Sequence, residues 1–99
     1  MDVSVRMILE IEIKPEVGAD FEAGMRTALP ETRAYGGCIS VDVMRRVDNP
    51  NAWVLVEEWE TQGHHERYVQ WRIETGMMAK WEAVMTGPPS MAYLNAVDV

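Results

Sequence analysis

The chain has few of the residues that cross-link a protein or bind a metal ion. Its single cysteine, Cys38, excludes an internal disulfide and is compatible with a reducing cytoplasm. Cys38 follows two glycines at the start of a predicted strand, so we interpret it as a small buried residue rather than a nucleophile. The two histidines, His64 and His65, are adjacent and diverge on a helix, unlike the i, i+4 pair of a zinc-binding helix. We therefore expect no disulfide and no metal site.

Positive charge and long apolar runs are also scarce. Nine Lys and Arg residues stand against sixteen Asp and Glu, for a net charge of −7. The longest basic run is Arg45-Arg46, and binding to a phosphate backbone requires more clustered cations than this. No apolar stretch approaches the roughly 20 residues needed to span a bilayer. Residues 1–13 begin acidic and alternate in polarity, unlike a signal peptide. We expect a cytoplasmic protein with no nucleic-acid or membrane partner.

The length of 99 residues predicts one domain over residues 1–99, because so short a chain cannot build two independent cores. Hydrophobic residues at 47% and charged residues at 25% are typical of a globular protein. Internal repeats, linkers and low-complexity segments are absent from the sequence. It also has no glycine-rich phosphate loop, so nucleotide binding has no support.

Alternating hydrophobicity predicts four strands. Residues 3–13 alternate almost perfectly, as in a strand with one buried face. Residues 38–47 alternate in the same way, and residues 52–60 are apolar on both faces. The turn sequence at residues 48–51 joins these two segments into a predicted hairpin. Residues 91–97 make a short fourth strand.

A first helix is predicted from Val17 or Ala19 to Tyr35, because apolar residues recur at spacings of three and four. Pro30 falls inside this segment. It removes the hydrogen bond to the Arg26 carbonyl, which costs about 3 kcal/mol in a regular helix. We therefore predict that Pro30 kinks or divides the helix.

The longest helical segment begins near Gln62, with Thr61 as its N-cap, and ends at the Gly-Pro-Pro sequence of residues 87–89. Gly76 is expected to bend or briefly break it. One side of the helix is polar and aromatic, which suits the wall of a pocket. The residues on that side are His64, Tyr68, Trp71 or Arg72, and Thr75.

The resulting order, β-α-β-β-α-β, predicts an α+β ferredoxin-like fold. Its four-stranded antiparallel sheet has strands one and three at the centre and both helices on one face. The other face would be bare, although strand three places apolar residues on both sides, Trp53, Leu55 and Trp59 on one and Val54 and Val56 on the other. Since an exposed apolar sheet face is a liability for a monomer, we expect a homodimer formed through it.

Residues 37–40, 48–51, 54–60 and 86–90 together resemble the antibiotic biosynthesis monooxygenase (ABM) family of dimeric α+β-barrel proteins. The resemblance covers nearly the whole chain. Many relatives carry a Thr/Ser-Pro-His-Phe-like segment late in the second helix. This chain has Thr-Gly-Met-Met at residues 75–78 instead and so lacks that histidine.

The resemblance implies oxidation of a small aromatic substrate, such as a quinol, an anthrone or a similar phenol, by O₂ without a cofactor. Such a site needs a base, a hydrogen-bond donor for the developing oxyanion and an apolar cavity. Either histidine is a candidate base, because only histidine titrates near pH 7 unperturbed. We favour His64, one turn before Tyr68. Tyr68, Trp71 and Arg72 are the candidate donors and aromatic wall.

Other interpretations remain open. The histidines of the first helical turns also suit a solvated surface. The same dimeric scaffold also suits an isomerase or a small-ligand-binding protein without oxygen chemistry, and a purely structural dimerisation module. A pocket on the helix side of the sheet, lined by Tyr68, Trp71 and Arg72, would favour an enzyme or a binding protein, and a filled interior would favour the structural module.

Overall fold

This computed structural model describes residues 4–99, which form four strands, three α-helices and one 3₁₀ turn. In chain order they are β1 (Val5–Glu12), a 3₁₀ turn (Pro15–Val17), α1 (Gly18–Ala34), β2 (Cys38–Arg45), β3 (Ala52–Trp59), α2 (Gln62–Glu74), α3 (Met77–Val84) and β4 (Ser90–Leu94). The predicted order is confirmed, with the second helical region divided in two. The predicted start of the first strand at Val3 lies outside the described residues.

The sheet is antiparallel with the strand order β2-β3-β1-β4, so the predicted central strands, β1 and β3, are confirmed. The two pair along their whole length, from Val5 opposite Trp59 to Glu12 opposite Ala52. Since side chains alternate across a strand, this register assigns every second residue to each face. The α+β ferredoxin-like fold is confirmed.

One face of the sheet packs against the helices through two hydrophobic clusters. In the larger cluster, Ile11 and Leu55 of the sheet pack with Phe21 and Leu29 of α1, and Trp81 of α3 packs against their edge. A smaller cluster joins Trp59 of β3 to Tyr68 of α2. Each buried aliphatic or aromatic side chain contributes about 1.5–3 kcal/mol. The helix layer is therefore anchored along the whole sheet.

Helix α1 is continuous from Gly18 to Ala34, so the prediction that Pro30 divides it is wrong. Pro30 lies on the exposed side of the helix, whereas Leu29 and Thr32 are buried on either side of it. The burial of that face offsets the lost backbone hydrogen bond. A bend of the helix axis at Pro30 stays a prediction.

The second helical region begins and breaks where the sequence indicates. The Thr61 hydroxyl accepts from the His64 backbone N–H at 3.1 Å, which confirms the N-cap. Gly76 has a φ of +84°, a conformation that favours glycine, and it separates α2 from α3. Helix α3 ends at Val84 rather than at residues 87–89, because Met85 is extended and forms a β-bridge with Ile13.

The other face of the sheet carries no helix among the described elements. Its centre is apolar, with Ile8 of β1 opposite both Val56 of β3 and Ala92 of β4. Val54 lies beside them, and Leu94 is exposed on β4. We call this surface the open sheet face.

None of the helices in residues 4–99 is long and apolar enough to cross a membrane.

Candidate active site

Arg72 is the centre of a buried polar network between α1 and α2. Only 4% of the residue is exposed. Its Nε donates to the Tyr68 hydroxyl at 2.8 Å, and its Nη2 donates to Thr32 Oγ1 at 3.0 Å and to the Ala28 carbonyl at 2.9 Å. The Thr32 and Tyr68 hydroxyls are 2.6 Å apart. Because these polar groups satisfy one another, the guanidinium is held in one position.

Aromatic rings surround the guanidinium. Its Cζ lies 4.4 Å from the centroid of the Trp71 ring and 5.3 Å from that of Tyr68, both within cation–π range. Trp71 in turn stacks on Tyr35, with ring centroids 5.3 Å apart and an interplanar angle of 24°. The structure therefore brings together three of the four predicted site residues, Tyr68, Trp71 and Arg72.

A groove of about 620 Å³ runs between α1 and the α2–α3 pair, and we call it the helix groove. Phe21 and Trp81, whose ring centroids are 5.3 Å apart, form its apolar wall with Val84. Arg72 and Glu31 border the same groove. A pocket on the helix side of the sheet, lined by Tyr68, Trp71 and Arg72, was expected. This groove lies between helices, no residue of β1 to β4 borders it, and of those three residues only Arg72 lines it. The Tyr68 hydroxyl points instead into the buried network.

The charge of Arg72 is only weakly compensated at the groove. Its Nη1 lies 3.6 Å from Glu31 Oε1, and the Glu31 side chain is 58% exposed against 4% for Arg72. An ion pair with one exposed partner is screened by solvent. The groove therefore combines an apolar wall with a cationic hydrogen-bond donor, an arrangement that can bind and stabilise an aromatic oxyanion.

Tyr68 supports Arg72 as a neutral phenol. Burial raises the pKa of Tyr68, because a phenolate is poorly solvated there, and the hydrogen bonds from Thr32 and Arg72 oppose this only in part. Tyr68 is therefore a positioning residue for the guanidinium and not a base at neutral pH.

His64 is not brought into this network. It is half-buried at the start of α2, where its Nδ1 is 2.7 Å from Thr61 Oγ1 and its Nε2 is 3.6 Å from Glu60. Its ring packs on Gly37, where an added Cβ would lie 2.3 Å from ring carbons. The buried side of α2 is centred on His65, Tyr68 and Arg72 and leaves His64 to one side.

His65 occupies the interior position instead. It is 2% exposed, and its Nδ1 is 2.7 Å from the Tyr93 hydroxyl of β4. Its ring meets Trp59 edge-on, with centroids 5.3 Å apart. Burial lowers the pKa of His65, and the charge of Glu66 opposes this shift. His65 is therefore neutral at physiological pH, and it does not border the helix groove.

Glu57 is a buried carboxyl that the sequence interpretation missed. It is 4% exposed, and Trp59 Nε1 donates to its Oε1 at 2.8 Å. Burial raises the pKa of Glu57, against the effect of that hydrogen bond. The Nε2 of His65 is 3.9 Å away, beyond hydrogen-bond distance. Strand alternation was the available signal, because it places Glu57 on the same face as Leu55 and Trp59.

Cys38 is half-buried beside this region. Burial and the nearby Glu57 raise the pKa of its thiol, and Arg33 opposes the shift. A protonated thiol is a poor nucleophile, in agreement with the interpretation of Cys38 as a packing residue. Within residues 4–99, no three side chains of His, Cys, Asp or Glu converge as metal ligands.

The sequence of the first three-quarters of the chain decides the family. The family model described as antibiotic biosynthesis monooxygenase (ABM) matches residues 4–72, from the start of β1 to Arg72. This chain belongs to the ABM family. No curated protein matches the chain significantly in sequence.

Solved structures share the fold of this ABM protein. A crystal structure of an antibiotic biosynthesis monooxygenase has a TM-score of 0.86 and 20% identity, over 95% of this chain and 99% of that chain. A candidate antibiotic biosynthesis monooxygenase from Bordetella bronchiseptica has a TM-score of 0.73 and 28% identity, over 95% and 97%. A mutant of SnoaB, a cofactor-independent oxygenase from Streptomyces nogalater, has a TM-score of 0.81 and 14% identity, over 97% and 95%.

Proposed function

We propose that this ABM protein is a cofactor-independent monooxygenase that oxidises a small aromatic substrate, a quinol, an anthrone or a similar phenol, with O₂. The observation that carries the proposal is the helix groove, in which the guanidinium of Arg72 borders an apolar wall formed by Phe21 and Trp81. Its volume of about 620 Å³ is within the usual range for small-molecule sites. Similarity to a cofactor-independent oxygenase supports this chemistry at the level of the fold.

Arg72 supplies the electrostatic part of the mechanism. The aromatic body of the substrate packs on Phe21 and Trp81, and its phenol or enol oxygen faces the guanidinium. A fixed cation lowers the pKa of the bound hydroxyl and stabilises the resulting anion. Trp71 and Tyr68 hold the guanidinium in place, so little reorganisation is needed when the negative charge develops.

The anion is the electron-rich species that reacts with O₂. For an anthrone, one oxygen atom becomes the new carbonyl at the methylene carbon, and the other leaves as water with the two methylene hydrogens. The substrate carbon loses four electrons and O₂ gains four, so the reaction balances without a cofactor. Glu31, 3.6 Å from Arg72, or solvent can accept the first proton. A base role for His64 stays a prediction.

Oxygen uptake tests the proposal. The purified chain, without added cofactor, is given a panel of quinols and anthrones in an oxygen electrode. We expect uptake above the autoxidation rate with at least one compound, and a loss of about tenfold or more in kcat for Arg72→Lys. Arg67→Lys is the matched control, because Arg67 lies exposed on the same helix. Uptake that is equal in wild type and Arg72→Lys contradicts the proposal.

A ligand-binding protein or an isomerase is the second candidate. The observation in its favour is that neither histidine borders the helix groove, so no imidazole is available there as a base. Binding of the same aromatic compounds with no oxygen uptake, or with conversion that continues under anaerobic conditions, would support this candidate.

We also propose that the protein is a homodimer formed through the open sheet face. Ile8, Val54 and Val56 make its centre apolar, and all three are only partly buried in the single chain. Burying such a surface against a second copy contributes about 25 cal/mol per Å². Light scattering at micromolar concentration tests the proposal, and a monomer mass would contradict it.

A further inference from the structure

We propose that the protein has a second ligand site, which binds an aromatic carboxylate in a cleft between α1 and β2. This α1–β2 cleft has a volume of about 460 Å³. It lies on the opposite flank of α1 from the helix groove, and neither Arg72 nor Trp81 borders it. This proposal does not depend on the proposed oxidation, and the two are tested separately.

The inner surface of the cleft is apolar and partly aromatic. Met25 and Leu29 of α1, Val43 of β2 and Trp53 of β3 line it. Trp53 is 5% exposed, and its Nε1 has no hydrogen-bond acceptor within residues 4–99. These side chains suit an aromatic body.

The rim of the cleft is cationic. Arg26, Arg33 and Arg45 all border it, although the chain has only nine basic residues and a net charge of −7. Of the residues that the structure describes, Glu22 is the single acidic one on the rim. The local excess of positive charge selects for an anion, and the planar forks of arginine favour a carboxylate in particular.

Glu22 shows how a carboxylate is held at this rim. Its carboxylate lies 2.6 Å from Arg26 Nη2 and 3.5 Å from Arg45 Nη1. The hydrogen bond and charge of Arg26, and then the charge of Arg45, keep the pKa of Glu22 below its ordinary value. Arg45 also lies over the ring of Trp53, with its Cζ 5.1 Å from the centroid. An aromatic carboxylate can use the same combination of cation and indole.

Arg33 is the cation that remains for the ligand. Its Nη2 donates to the Val41 carbonyl at 2.9 Å, which fixes the guanidinium against the sheet. Among the described residues no carboxylate lies within ion-pair distance of it. Glu22 neutralises part of the rim, and Arg33 has no anionic partner within residues 4–99. We assign Arg33 as the main ligand contact and Glu22 as an internal competitor.

Isothermal titration with 2-naphthoate tests the proposal, with 2-naphthalenemethanol as the uncharged comparison. We expect the carboxylate to bind with 1:1 stoichiometry per chain and the alcohol to bind at least about tenfold more weakly, because it forms no charge-assisted hydrogen bonds. Affinity for the carboxylate should fall as salt is raised. Equal binding of the two compounds, or no binding of either, overturns the proposal.

Two variants with opposite expected effects on the affinity for 2-naphthoate locate the site. Arg33→Gln should weaken 2-naphthoate binding about tenfold, whereas Glu22→Gln should strengthen it because the internal carboxylate is removed. Arg67→Gln, at an exposed position of α2, is the matched control and should leave the affinity unchanged. If Arg33→Gln does not fold, Glu22→Gln decides the matter. Unchanged affinity in Glu22→Gln overturns the proposal. Binding in the helix groove also overturns it, and it would be recognised because neither variant would then change the affinity.

Discussion

Arg72 donates its Nε proton to the hydroxyl of Tyr68, one helical turn earlier, at 2.8 Å. The same hydroxyl lies 2.6 Å from Thr32 Oγ1, so the pair ties α2 to α1. The Nε–H donor of the guanidinium is thereby used in packing α2 against α1, while Arg72 also borders the helix groove. The residue that we propose as the oxyanion donor is thus also part of the helix–helix packing.

Arg72→Lys should therefore reduce both stability and turnover. We expect the free energy of unfolding to fall by about 1–3 kcal/mol, because a buried hydroxyl and a carbonyl lose their donors. If the proposed oxidation takes place, kcat should fall more than KM rises, since the interaction strengthens as charge develops. Urea unfolding and steady-state oxygen uptake measure the two effects. A change in KM alone would show that Arg72 serves only to bind the substrate.

Glu57→Gln should be more stable than the wild type at pH 7–8. Burial raises the folded-state pKa of Glu57 above 4.5, so the unfolded chain releases this proton more readily. The wild type therefore loses stability as pH rises from about 4.5 through the raised pKa. Glutamine does not ionise and can still accept from Trp59. Unfolding curves at several pH values should show a difference that shrinks towards pH 4.

His65→Gln tests a pH dependence of stability in the opposite direction from that of Glu57→Gln. Burial lowers the folded-state pKa of His65 below 6.5, so the wild type loses stability as pH falls through 6.5 towards that lowered pKa. The variant should show a smaller loss between pH 7.5 and pH 5, whatever its absolute stability. Identical pH slopes for wild type and variant would show that His65 does not titrate in this range.

Gly37→Ala should destabilise the fold strongly. Gly37 has a φ of +94°, and an added Cβ would lie 2.3 Å from the His64 ring. Both backbone strain and this steric clash oppose the substitution. Gly24→Ala is the matched control, since Gly24 lies in α1 with nothing within 4 Å, and it should stabilise by up to about 1 kcal/mol. Thermal melts of both variants check the prediction.

Ile8→Lys should convert the proposed homodimer to a monomer. Ile8 is at the centre of the open sheet face, opposite Val56 and Ala92, and a charge buried there in a dimer would have no partner. Ile73→Lys is the control, because Ile73 is an exposed apolar residue of α2 on the other side of the molecule. Light scattering of the three proteins gives the result, and a dimeric Ile8→Lys would refute this interface.

Pro30→Ala should leave the protein equally stable or more stable. Alanine restores an N–H that can donate to the Arg26 carbonyl, and the exposed position of residue 30 leaves the packed face of α1 unchanged. The gain is at most about 3 kcal/mol. Thr27→Ala on the same helix is the control. A lower melting temperature for Pro30→Ala would indicate that a bend at residue 30 is needed for packing.

The sequence by itself determined the order of the elements. Alternation of apolar residues marked the strands, and the turn at residues 48–51 marked the hairpin. Thr61 and Gly76 marked the start and the break of the second helical region, and the structure confirms both. These signals depend on residues close together in the chain, which is why they can be read without the fold.

The tertiary structure decided which side chains meet. The stripe on α2 did not distinguish His64 from His65, because His64 is four residues and His65 three residues before Tyr68, and both spacings are helical neighbours. Only packing against Trp59 and Tyr93 places His65 inside. The pairing of Arg72 with the α1 carbonyl of Ala28 joins residues 44 positions apart. The sequence shows no such contact, because it forms only when α1 and α2 pack side by side on the sheet.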